Sequence, residues 1–180
     1  MRTLVAALAL APLAAGAAPI APGSEVSING SDTFTPGSIS FVGPGNLGGV
    51  SGDFSILPLC TGCVTLTSPL TSASSGPLWV IHDGALTSTL SIDAGSTFTA
   101  DGTASLPSLT VNGTGILTLT GFDATQGQFE LTTQGTAEAG AQVTFSATAV
   151  PTPVGGVPEP ASLALLGSGL LGLALVRRRG

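Results

Sequence analysis

The stretch "AQVTFSATAV", residues 141–150, alternates without a break: Val143, Phe145 and Ala147 fall on one side of an extended chain, and Gln142, Thr144, Ser146 and Thr148 on the other. Successive side chains of a strand point to opposite faces, so this pattern buries one face and wets the other. The same period recurs upstream. "QFELTT" puts Phe129 and Leu131 together, "ILTLTGF" separates Leu117 and Leu119 from Thr118 and Thr120, and "ALTSTLSID" groups Leu86, Leu90 and Ile92 opposite Thr87, Thr89 and Ser91. One-sided burial of this kind suits antiparallel sheets packed face to face. No segment between residues 20 and 155 carries a helical period. The expected fold is therefore all-β: an antiparallel sandwich, jelly-roll or Ig-like, of roughly seven to nine strands.

Turn signals punctuate the strands. Asn112-Gly113 and Asp83-Gly84 stand between alternating runs and predict hairpins, with Asp101-Gly102 and Asn29-Gly30 as weaker cases. No repeat of fixed length is present, which disfavours a solenoid.

The two ends are a different polymer from the middle. "MRTLVAALALAPLAAGAAPIAPGS" has one charge at Arg2, an apolar run from Leu4 to Leu13 and then small residues, the plan of a secretory signal peptide. The small-x-small triplet Ala15-Gly16-Ala17 places cleavage after Ala17, so residues 1–17 are expected to be removed. The apolar run is too short to span a bilayer.

At the other end stands "VPEPASLALLGSGLLGLALVRRRG", residues 157–180. Residues 161–176 carry no charge, and at about 1.5 Å per residue they reach roughly 24 Å, slightly less than a hydrocarbon core. Arg177, Arg178 and Arg179 follow, and together with Arg2 they are the only cations of the chain. By the positive-inside rule this end stays in the cytoplasm while the bulk of the chain is exported. Prolines 158 and 160 lack N–H groups and hold residues 157–160 extended, a form that a protease can grip, and residues 151–156 continue it as a Pro/Gly linker.

The order Val157, Pro158, Glu159, Pro160, then a short apolar helix over 161–176, then arginines, closely resembles the PEP-CTERM sorting signal of Gram-negative bacteria. That resemblance implies recognition of Val157 to Pro160 by an exosortase, a membrane protease-transpeptidase; signal peptidase is the partner expected at the leader. The resemblance implies transient membrane anchoring through the C-terminal helix, then a cell-surface or extracellular location, and an association with exopolysaccharide and biofilm. Residues 113–150 are similar, more loosely, to a β-block that often precedes this tail.

The exported portion, 18–150, is strongly acidic. Ten Asp and Glu occur in the chain, Glu159 lies in the tail, and residues 18–156 contain no Lys or Arg. Phosphate repulsion opposes nucleic-acid binding, and an anionic membrane surface is disfavoured for the same reason.

Few residues in this portion carry chemistry. Cys60 and Cys63 in "CTGC" are expected to form a disulfide, as exported cysteines do, across a hairpin turn at Thr61-Gly62. No βαβ setting supports a redox role. His82, the only histidine, reads as a solvent-facing residue at a hairpin end, and no G-x-S-x-G elbow accompanies it. Asp53, Asp83, Asp93, Asp101 and Asp123 lie near glycines and read as Asx-turn residues. The sharper alternative is calcium held by separate turns, although no EF-hand loop is present. No metal, cofactor or catalytic residue is expected. Trp79 is the one strong candidate for an aromatic sugar platform.

The sequence thus predicts an exported, non-enzymatic structural or adhesive protein of the cell envelope or extracellular matrix, in contact with polysaccharide. The alternative is a carbohydrate- or calcium-binding β-module. Ice binding, suggested by the Thr-x-Thr pairs of "VTLT", "TFT" and "LTLT", and a secreted hydrolase stand below both.

Overall fold

Segments with a period of two become strands. The computed structural model describes residues 17–135 and 142–152. In chain order the strands are β1 (Glu25–Thr35), β2 (Ser38–Ser51), β3 (Cys60–Leu66), β4 (Leu70–Thr71), β5 (Gly76–Asp83), β6 (Leu86–Ile92), β7 (Thr97–Thr103), β8 (Leu106–Leu119), β9 (Thr125–Gln134) and β10 (Val143–Pro151). The only helical piece among the described residues is one 3₁₀ turn, Gly52–Ile56, which buries Phe54.

The sheet follows the order β1-β10-β9-β8-β6-β5-β3-β2, and β2 pairs back onto β1, all antiparallel. The eight strands close on themselves, so the molecule is a β-barrel and not the expected sandwich. Alternating burial fits either architecture, because both hide one face of every strand. Closure is decided by β1, which pairs with β10 from Val26↔Ala149 to Asp32↔Val143 and with β2 from Glu25↔Ser51 to Thr35↔Ser38. With β1 paired on both sides, this ring has no free edge. Strands β4 and β7 lie off it, paired to β2 and β8.

The inward faces fill the interior. Trp79, Ile81, Leu90, Leu117, Phe129 and Ile28 are among the buried side chains, and an eight-strand barrel is just wide enough to be packed by them. The expected inward sets hold at Leu117 and Leu119, Phe129 and Leu131, Leu90 and Ile92, and Phe145 and Ala147.

The turn dipeptides fare unevenly. Gly84, at φ +58°, opens the β5–β6 hairpin as expected. Asn112-Gly113 is no turn: it sits inside β8, paired to Glu130 and Phe129 of β9. Gly113 is needed there for space, since a Cβ would come within 2.5 Å of the Phe129 ring. Asp101-Gly102 lies inside β7, with the turn displaced to residues 104–105, and Asn29-Gly30 marks a register break in β1. Thr61-Gly62 is likewise not a hairpin. Gly45↔Val64 and Leu47↔Cys60 are partners, so two steps along β2 face four along β3, and β3 bulges. The Cys60–Cys63 disulfide, Cα atoms 5.9 Å apart, closes that bulge. Asn46 Oδ1 accepts the Gly62 N–H at 2.8 Å from across the ladder.

Both ends of the described chain meet one rim. The Ala18 carbonyl accepts the Asp123 N–H at 2.9 Å, and the Ile20 N–H donates to Thr125 Oγ1 at 2.9 Å. At the other terminus the Thr152 N–H donates to the Gln126 carbonyl at 2.8 Å. Asp123, Thr125 and Gln126 all belong to the start of β9 or the loop before it.

Candidate binding cleft and sorting tail

The barrel is a ring except where β8 changes neighbours. Its C-terminal half pairs with β6 down to Gly115↔Ile92, and its N-terminal half pairs with β7 from Asn112↔Thr97. Between those pairings the chain from Asp93 to Ser96 crosses from one strand to the other beside Gly113 and Thr114. A cleft of about 350 Å³ opens at this fork, with Asn112, Thr114 and Gln128 on β8 and β9, Asp93 on the crossing segment and Thr97 at the start of β7. Asn112, Thr114 and Gln128 lie at exposed positions of β8 and β9, so they share the outer face of the barrel.

Local bonds fix the crossing segment. Thr114 Oγ1 donates to Asp93 Oδ2 at 2.8 Å, the Asp93 N–H donates to the Thr114 carbonyl at 2.9 Å, and the Gly95 N–H donates to the Ser72 carbonyl at 2.8 Å. Ser96 is buried beneath, and its hydroxyl has no partner among the described residues. Asp93 therefore does not close an Asx-turn on its own backbone. Nor does Asp53, whose Oδ2 accepts the Ala21 N–H at 2.6 Å.

A second cleft, about 410 Å³, lies beside the disulfide bulge between Asn29, Asn46 and Thr61. Its amides are already engaged, Asn46 Nδ2 donating to Asn29 Oδ1 at 3.0 Å.

The expected residues are scattered. His82 is exposed near the end of β5, with Nδ1 3.3 Å from Thr87 Oγ1. Trp79 is wholly buried in the core, so it cannot serve as a sugar platform; its strand turns it inward. Ala17 is exposed at the start of the described chain. Among the described residues no three His, Cys, Asp or Glu side chains group as a metal site, and no helix is long and apolar enough to cross a membrane. The leader over 1–16, the motif Val157 to Pro160, the helix expected over 161–176 and Arg177 to Arg179 lie outside the described residues.

One buried acid lies apart from the residues that the sequence singles out. Asp32 is fully buried on β1, where Thr133 Oγ1 donates to its Oδ1 at 3.0 Å and Oδ2 has no partner among the described residues. Burial raises its pKa from 3.8 to about 6, against the opposing pull of the Thr133 hydrogen bond. Val26, Ile28, Gly30, Asp32 and Phe34 occupy alternate positions of β1, so the period of two could have flagged an acid on the inward face.

Residues 156–179 match the model of the PEP-CTERM protein-sorting motif. The chain carries a PEP-CTERM sorting signal. This motif implies export to the cell surface in a Gram-negative bacterium and processing by an exosortase, with Val157 to Pro160 inside the matched span. No curated protein and no solved structure matches the chain.

Proposed function

We propose that this PEP-CTERM protein is a structural or adhesive component of the cell envelope or extracellular matrix, without enzymatic activity, that contacts exopolysaccharide and contributes to biofilm. The observation that carries the reading is the sorting motif at 156–179, joined to a barrel in which, among the described residues, no three His, Cys, Asp or Glu side chains group together. His82 has a threonine hydroxyl for a neighbour and no carboxylate hydrogen-bonded to it among the described residues, which favours a non-catalytic role.

Intact-mass measurement of the protein from its host tests the sorting step. A product that begins near Ala18 and ends close to Glu159 supports it, whereas a mature form that keeps Arg177 to Arg179 overturns it. Surface attachment of a strain lacking the chain tests the adhesive role: unchanged attachment and matrix yield would defeat it.

The second reading, a binding module, is favoured by one observation, the polar cleft at the fork of β8.

A further inference from the structure

We propose that the cleft between the Asp93–Thr97 segment and strands β8 and β9 binds a neutral polyhydroxylated ligand, a sugar residue of a glycan. The inference deepens the adhesive reading above by naming the surface that would make the contact.

Ligand class follows from what the cleft holds. An anionic ligand is disfavoured, because the described residues include no Lys or Arg to pair with it and the cleft already contains the Asp93 carboxylate. A divalent cation is poorly served, since Asp93 is the only carboxylate lining the cleft and Thr114 already occupies its Oδ2. Calcium takes about six to eight oxygen ligands, and a single half-engaged carboxylate falls short. An apolar ligand would strand the exposed amides of Asn112 and Gln128 and the hydroxyl of Thr97 against carbon.

A sugar hydroxyl is both donor and acceptor, and this surface offers both. Each amide presents an N–H₂ and a carbonyl, Thr97 presents a hydroxyl, and Asp93 Oδ1 accepts. Among the described residues Asn112, Gln128 and Thr97 spend none of these side-chain groups on one another. Cross-strand pairing sets them in a grid. Thr97 faces Asn112 from β7 and Gln128 faces Thr114 from β9, on opposite sides of β8 and in rows two residues apart on one face, so the four span about 10 Å across the strands by about 7 Å along them. One sugar ring bridges neighbouring members of this set, and the full spread suits two linked sugars of a glycan. The cleft volume, about 350 Å³, stands near the lower end of the roughly 300–1,000 Å³ of small-molecule sites.

The fold also holds the grid still. The ladder fixes β8 against β9, and the Asp93–Thr114 pair of hydrogen bonds fixes the crossing segment, so little ordering is left for the ligand to drive.

The test is ¹⁵N–¹H NMR titration of the full chain, tail intact, in lauryldimethylamine oxide micelles. The probes are glucose, galactose, mannose, cellobiose and maltose, with calcium chloride and sodium phosphate in parallel. We expect at least one sugar to produce saturable shifts confined to residues 93–97, 112–114 and 128. Asn112→Ala combined with Gln128→Ala should weaken that binding about ten-fold or more, as the loss of two hydrogen bonds implies, without changing the melting temperature. Gln134→Ala, further along β9, should leave it unchanged. The proposal is overturned if no sugar shifts these residues at tens of millimolar, if the double variant binds as well as the parent, or if calcium or phosphate saturates the cleft instead. Because the tail stays uncut in these samples, the outcome is separate from exosortase processing.

Discussion

Thr133 and Asp32 meet inside the barrel across the width of β10, the threonine hydroxyl donating to Asp32 Oδ1 at 3.0 Å while Oδ2 remains unpartnered among the described residues. A carboxyl so placed is easier to bury neutral than charged, which is why its pKa stands at about 6. The folded state then binds a proton more tightly than the unfolded chain does. Its contribution is fully present below the unfolded pKa of 3.8 and is lost as pH rises through about 6. Denaturant unfolding should show stability falling by about 2–3 kcal/mol between pH 4 and pH 7 from this group. In Asp32→Asn that fall should disappear; an unaltered pH profile in the variant would refute the assignment.

Gly115 is the tightest point of the β6–β8 pairing. A Cβ at this position would run into the Ser91 carbonyl and stand 2.8 Å from Ile92 Cα, both backbone atoms that cannot swing away. Gly115→Ala should cost about 2–4 kcal/mol and lower the melting temperature accordingly. Gly121→Ala probes a different constraint, a positive φ of +91° with open space around it, and should cost only about 1 kcal/mol. Equal losses in thermal melts would contradict the crowding at Gly115.

Cys60 and Cys63 close a loop of two intervening residues, so the bond removes little freedom from the unfolded chain. The loop-entropy relation gives about 2 kcal/mol for Cys60→Ser with Cys63→Ser. Amide exchange should speed up around Gly62 and Val64, while β8, β9 and β10 keep their protection. Global loss of protection would mean that the bulge holds the barrel shut.

Ile20 lies three residues after the expected leader cleavage and is only 1% exposed, its N–H bound to Thr125 Oγ1. Ile20→Ala should destabilise by about 2–4 kcal/mol, read by chemical denaturation. A neutral result would show that residues 18–24 ride on the barrel without sealing it.

The strands were legible because burial and period coincide: Leu117, Leu119, Phe129, Leu131, Phe145 and Ala147 all point inward as their spacing predicts. Closure into a barrel was not legible. It depends on β1 finding β10, over a hundred residues away, and no local pattern encodes that pairing. The glycines misled for a physical reason. Asn112-Gly113 has the composition of a turn, yet Gly113 serves by lacking a side chain under Phe129. The sorting motif, matched over residues 156–179, was legible because it is a linear word that needs no fold to be recognised. The cleft was not, because Asp93, Asn112 and Gln128 meet only where β8 exchanges β6 for β7.

The shared rim fixes where the sorting tail departs from the barrel. Ala18 bonds to Asp123 and Thr152 bonds to Gln126, so the two ends of the described chain meet the loop before β9 and its second residue, about 10 Å of extended backbone apart. The sorting tail, which follows Thr152 in the chain, is thus joined to the barrel on the rim that also receives residues 18–20. The Pro36-Gly37 and Ala104-Ser105 turns close the far rim, so that end of the barrel is the one remote from the sorting tail.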